Sequence, residues 1–128
     1  MKSSGRRFRV LAGLFAVCRL KPDSPVPAWA TGSFVNITMT ADELSIMCPA
    51  ERVPADVRAE RGWRVLKVDG PFPFTTTGVM ASFAQPLAVA GISLLAIATY
   101  DTDYLLVKSD NLAVAVAVLV AAGHTQAG

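Results

Sequence analysis

Along residues 33–40 apolar and polar side chains alternate, with Phe34, Asn36 and Thr38 standing against Val35, Ile37 and Met39. A period of two predicts a half-buried strand. Thr40, Ala41 and Asp42 predict a turn, and residues 43–48 the returning strand of a hairpin. Upstream, the apolar run 14–20 reads as another strand. Pro22, Pro25 and Pro27 keep a long helix out of the connection that follows, and leave a short turn around Trp29. Pro54 and Gly62 bracket residues 55–60 as a short helix, and the alternation over 63–69 predicts a strand after it.

The second half starts with a helical pattern. Thr75, Thr76 and Thr77 offer hydroxyls for an N-cap, and Val79, Phe83, Leu87 and Ala90 recur at helical spacing. Pro86 falls inside that helix and is expected to kink it, and Gly91 supplies its C-terminal cap. Residues 92–99 are apolar on both faces and predict a central, buried strand; 103–108 is its partner across the polar knot 99–103. Asp110 caps the run 112–122, which Gly123 closes. There valines alternate with alanines, which also fits a strand, but the capping signals and the length favour a helix. A helix apolar all round has to be covered on more than one side, which predicts a subunit interface and a homodimer or larger. The order strand–helix–strand–strand–helix thus occurs twice, as in two ferredoxin-like units with mainly antiparallel strands.

Composition narrows the function. The 128 residues suffice for one ordinary domain or two very small ones sharing a core, and with 52% apolar and 17% charged residues a packed core is expected. The net charge is +2, and the cations gather in the N-terminal arm (Lys2, Arg6, Arg7, Arg9) and at Arg58, Arg61 and Arg64. No basic stripe with interleaved aromatic residues appears, which argues against nucleic acid as a partner. Residues 10–17 resemble the apolar core of a signal peptide, but Arg19 and Lys21 follow at once with no small-residue cleavage site. No run approaches the ~20 apolar residues that span a bilayer. The expectation is a cytoplasmic chain whose Cys18 and Cys48 are buried, reduced thiols, and whose arm leads into a buried strand. His124 stands alone beside a C-terminus expected to be loose, so neither a metal site nor a base for nucleophilic catalysis is apparent. Asp101 and Asp103 have an ordinary reading as solvated turn residues that bond their own backbone. An Asp-x-Asp after an apolar strand also resembles cation-holding nucleotide-sugar transferases, but the chain is too short for their fold.

Thr77-Gly78-Val79-Met80-Ala81 opening a helix, Gly91-Ile92-Ser93, and the hairpin built on Ala98-Thr99-Tyr100-Asp101-Thr102-Asp103-Tyr104 together resemble the ACT domain. More narrowly, they resemble small bacterial tandem-ACT proteins related to the eukaryotic cytosolic arginine sensors and to aspartate-kinase regulatory domains. The match is strongest over 63–123, while Phe15 to Leu20, Glu43 to Ile46 and Pro49 to Val53 resemble the first half of those proteins. The resemblance implies an α+β chain of two tandem ferredoxin-like (βαββαβ) ACT units: an arm at 1–12, a first unit at 13–62 and a second at 63–128. It further implies a non-enzymatic sensing module, without cofactor, that binds an amino acid between ACT units and regulates a partner protein. The other function in view is a structural dimerisation module that has lost its pocket. Carried over residue by residue, the implied contacts are Thr76, Thr77, Gly78 and Val79 before the helix and Thr99, Tyr100, Asp101 and Asp103 at the hairpin. The arginine sensors carry an acidic residue where this chain has Thr76, a departure that argues against arginine itself as the ligand. Amides at a helix start suit a carboxylate, a neighbouring Asp suits an ammonium, and Tyr100 would cover the apolar part.

Overall fold

The computed structural model describes residues 5–128, so Lys2 of the basic arm lies outside the described residues. The chain divides into two compact units, Gly13–Trp63 and a second made of Met1–Ala12 with Arg64–Gly128.

In the unit Gly13–Trp63, β2 (Phe15–Leu20), β3 (Asn36–Met39), β4 (Leu44–Pro49) and the first half of β5 (Ala59–Val68) form an antiparallel sheet in the order β3-β4-β2-β5. The β3–β4 turn is the expected one: Thr40 Oγ1 accepts from the amides of Asp42 and Glu43, both at 3.2 Å. Alternation in β2 and β4 sends Ala16, Cys18, Leu44, Ile46 and Cys48 into one core, against which Trp29 and Val35 pack. The helix predicted over 55–60 does not form. Cys18 faces Ala59, Val17 faces Glu60, and the Arg19 amide donates to the Arg58 carbonyl at 3.0 Å, so sheet pairing claims the segment. The Arg61 guanidinium binds the carbonyls of Ala50, Val53 and Pro54 at 3.2, 3.2 and 3.1 Å, which holds the preceding loop in place of helical bonds. Among the described residues this unit has a single 3-10 turn (Ala50–Arg52) and no α-helix. It therefore lacks the two helices of the expected βαββαβ pattern.

The other unit carries that pattern: the second half of β5, α1 (Val79–Val89), β6 (Leu95–Ala98), β7 (Asp103–Lys108), α2 (Leu112–Ala121) and β8 (Thr125–Gln126). One strand is added. In β1 (Arg7–Val10), Phe8 pairs antiparallel with Val68 of β5 and parallel with Gln126 of β8. The order is β6-β7-β5-β1-β8, and both helices pack on Phe8, Leu66, Val68, Leu105 and Val107. Phe8 is fully buried and meets Phe83 of α1 edge-on, with ring centroids 6.0 Å apart. The N-terminal segment thus contributes a core strand.

Strand 92–99 was expected at the centre; it is an edge. Only 95–98 pair, with β7 alone, and the burial alternates so that Ala96 and Ala98 face solvent. Alanines on the outer face made the strand read as apolar on both sides, and the central places belong to β5 and β7. Helix α1 starts at Gly78, whose φ of +76° suits glycine, and no threonine hydroxyl caps it. Helix α2 is preceded by a 3-10 turn (Ser109–Asn111), and Asn111, rather than Asp110, holds the N-cap position without a side-chain bond.

Candidate ligand-binding site

The polar knot is first a turn. The Thr99 amide and Oγ1 both donate to the Thr102 carbonyl, at 2.9 and 3.0 Å, and Thr99 Oγ1 accepts from the Thr102 amide at 3.4 Å. Thr102 is buried, and its hydroxyl donates to the Val68 carbonyl, which ties the turn to β5. Backbone and threonine hydroxyls thus hold the loop. The carboxylate of Asp101 and the ring of Tyr100 are left facing outward, both exposed.

A second loop meets it. Gly70, Pro71, Phe72, Pro73 and Phe74 connect β5 towards α1, and the Phe72 amide donates to the Asp101 carbonyl at 3.3 Å. A Cβ on Gly70 would lie 2.7 Å from that carbonyl oxygen and 3.0 Å from the Thr102 Cβ, so only glycine admits this approach. Phe72 packs on the core under the Arg6 guanidinium, 5.2 Å from its ring centroid. Phe74 and Tyr100 meet edge-on at 5.0 Å although they are 74% and 81% exposed. Exposed apolar rings are informative where they cluster.

Two cavities adjoin along this junction and share Pro71 and Asp101. One, of 320 Å3, is walled by Pro71, Phe72, Pro73, Phe74 and Tyr100. The other, of 210 Å3, is polar and is lined by Lys67, Gly70, Thr99, Asp101, Thr102 and Tyr104. Of the eight residues expected from the sequence, Thr99, Tyr100 and Asp101 line these cavities; Thr76, Thr77, Gly78, Val79 and Asp103 do not. Val79, the first residue of α1, is buried in the core, and Asp103 sits half-buried on β7 opposite Ala98. Lys67, Gly70 and the aromatic loop were missed, and the signal was present in the repeated Pro-Phe of 71–74.

Among the described residues no three of His, Cys, Asp and Glu gather as a metal site. His124, expected near a loose end, is instead buried and stacks on Phe83, with ring centroids 3.8 Å apart and planes at 15°. Cys18 and Cys48 are free and buried, as expected, and burial pushes the Cys18 thiol up to about 11. Among the described residues no helix is long and apolar enough to cross a membrane.

The family model for the ACT domain matches residues 58–121, half of the chain, and a model of an N-terminal domain matches 13–56. The human cytosolic arginine sensor for mTORC1 subunit 1 is 32% identical over 104 residues, which span 75% of this chain but 31% of the sensor. The chain thus spans under a third of the curated relatives it matches. A crystal structure of an Agrobacterium tumefaciens protein superposes with a TM-score of 0.92, at 40% identity over 98% of this chain and 94% of that one. The ligand-free regulatory subunit of aspartate kinase from Thermus thermophilus superposes with a TM-score of 0.62 over 88% of this chain and 94% of its own. At 11% identity that likeness concerns the fold alone. The chain belongs to the ACT domain family.

Proposed function

We propose that this chain is a non-catalytic regulatory module that binds an amino acid at an interface between ACT units and thereby alters its association with a partner protein. The observation that carries the reading is the junction of loops 70–74 and 99–102, which frames two adjoining cavities with exposed rings and an outward carboxylate. Family membership and the likeness to a protein named as an arginine sensor support it. Thr99, Tyr100 and Asp101 form the near wall. Thr76, Thr77 and Gly78 before α1, with Asp103 on β7, are read as outer contacts, while the side chain of Val79 belongs to the core. We read 1–12 as an arm that completes the second unit, 63–128, and 13–62 as the first. Because 13–63 carries no α-helix, the facing ACT unit comes from a second copy, as a homodimer. The module is read as cytoplasmic, without cofactor, consistent with its two free thiols.

A thermal-shift screen of the twenty amino acids tests this. One of them, at ~100 times its Kd, should add about 2.7 kcal/mol of stability. If none raises the melting temperature, the sensing reading is overturned.

One observation favours a second reading, a dimerisation module without ligand. Helix α2 has no charged residue, and it exposes Val114 and Val120 at 56% and 48%. In that case Val114→Glu would yield monomers in light scattering while no amino acid shifts the melt.

A further inference from the structure

We propose that the ligand is an α-amino acid with a bulky apolar side chain: its carboxylate on Lys67, its ammonium on Asp101, and its side chain among Phe72, Phe74 and Tyr100. This rests on the sensing reading and names the ligand class of the same site.

Lys67 and Asp101 line one 210 Å3 cavity, yet among the described residues neither takes part in an ion pair. The reason lies in the sheet. Arg9, the Cα partner of Lys67 across β1–β5, spends its guanidinium on Asp69 at 3.2 Å, and Arg7 reaches the same carboxylate at 3.4 Å. Asp69 is thereby occupied by the two arginines, and Lys67, which lines the cavity, is left without a carboxylate partner among the described residues. On the other side, the turn 99–102 satisfies itself through threonine hydroxyls and backbone, so the Asp101 side chain is not used to hold the loop. A cavity with one cation and one anion on its lining complements a ligand that carries one of each. The α-carboxylate and α-ammonium of an amino acid satisfy both without leaving a charge over.

The adjoining cavity decides the side chain. Its walls are two prolines, two phenylalanines and a tyrosine, and its only charged group is Asp101, the residue it shares with the polar cavity. A ligand carboxylate there would face Asp101 with no cation beside it. A ligand cation would compete with the α-ammonium for the same Asp101. A leucine or phenylalanine side chain asks for neither, and it removes from water the faces of Phe74 and Tyr100 that now stand exposed. At 320 Å3 the cavity has room for either.

Melting curves and titration calorimetry on the full chain test this with L-phenylalanine, L-leucine, glycine, L-arginine and L-glutamate. Two analogues that each keep one charge, 3-phenylpropionate and phenethylamine, complete the set. L-phenylalanine or L-leucine should bind about tenfold or more tightly than the other amino acids and both analogues. Lys67→Met keeps the stem and removes the charge; Asp101→Asn keeps the shape. Each should weaken L-phenylalanine by about tenfold or more while the ligand-free melting temperature stays unchanged. Preferential binding of L-arginine, L-glutamate or glycine would overturn the ligand class and leave the sensing reading intact. Unchanged L-phenylalanine affinity in both variants would overturn the two assigned contacts and return the carboxylate to the start of α1. Silence towards every amino acid would overturn this inference together with the reading it rests on.

Discussion

His124 donates its Nε2–H to the backbone carbonyl of Ser82, 2.8 Å away. That carbonyl is the one that Pro86, four residues on, has no N–H to bond. The histidine therefore fills a gap that the proline opens in the ladder of α1. Its Nδ1 accepts from the Arg6 amide at 3.0 Å, which fixes the neutral Nε2–H tautomer and links the segment before β1 to the helix.

A double-mutant cycle tests this. His124→Ala strips a partner from two backbone groups and removes the stack on Phe83, and it should cost about 2–4 kcal/mol in urea unfolding. In a Pro86→Ala background, the new amide at 86 takes over the Ser82 carbonyl. The same histidine change should then cost about 1 kcal/mol less. Equal costs in both backgrounds would show that the proline and the histidine are not coupled.

Legibility followed the range of the forces. Helix α1 and the hairpins could be read because their periodicity and turn residues are local, and α2 from its length and the Gly123 that closes it. The segment 55–60 misled: Pro54 and Gly62 are genuine helix boundaries elsewhere, but here the pairing of Ala59 and Glu60 with β2 prevails over them. His124 looked idle because its partners, Arg6 and Ser82, lie far off in sequence. At the site, the turn 99–102 was visible as a unit. Its counterpart was sought at the helix start, 76–79, whereas the loop that reaches it is 70–74, brought there by the bond from Phe72 to Asp101. Both candidates lie at the entry to α1, and only the repeated Pro-Phe of 71–74 set the second apart.

Gly70 should tolerate no side chain. In Gly70→Ala, the added methyl group meets the Asp101 carbonyl oxygen at 2.7 Å, which is backbone and held by Phe72. The two loops must separate, at a cost of about 1–3 kcal/mol. Chemical denaturation would measure it, and amide exchange should show faster opening at Phe72 and Thr102. Gly78→Ala provides the contrast. Its Cβ meets nothing, but a φ of +76° penalises it by about 1–2 kcal/mol through the backbone alone. A cost for Gly70→Ala within a few tenths of zero would mean that the loops do not touch as described.

The thiols should be inert in the folded state. Burial, then the neighbouring Cys48, pushes Cys18 up to about 11, and burial also raises Cys48. Cys18 faces Ile46 across the sheet while Cys48 faces Ala16, so the two are diagonal neighbours in one core. At pH 8 iodoacetamide should label neither in native protein and both in urea. Rapid native labelling of either would show that this core opens readily.

Asp69 should make stability depend on acid. Hydrogen bonds from Arg9, then from Arg7, hold its carboxyl below the usual carboxylate range. A folded-state value below the unfolded one means that the unfolded chain binds the proton first as pH falls. The contribution is therefore fully present above the unfolded value of about 4, and it is lost as pH drops through the depressed folded value. Both arginines are well exposed, so the effect is small and salt-sensitive. Asp69→Asn should lower the melting temperature slightly at pH 7, the difference should shrink in 1 M salt, and it should close as pH falls through the depressed folded value. Since the same pairing leaves Lys67 unclaimed, freeing Arg9 in this variant adds a second cation near the cavity and alters ligand affinity more than it alters stability. A melting difference that stays constant from pH 7 to pH 2 would show that Asp69 acts through packing rather than through its charge.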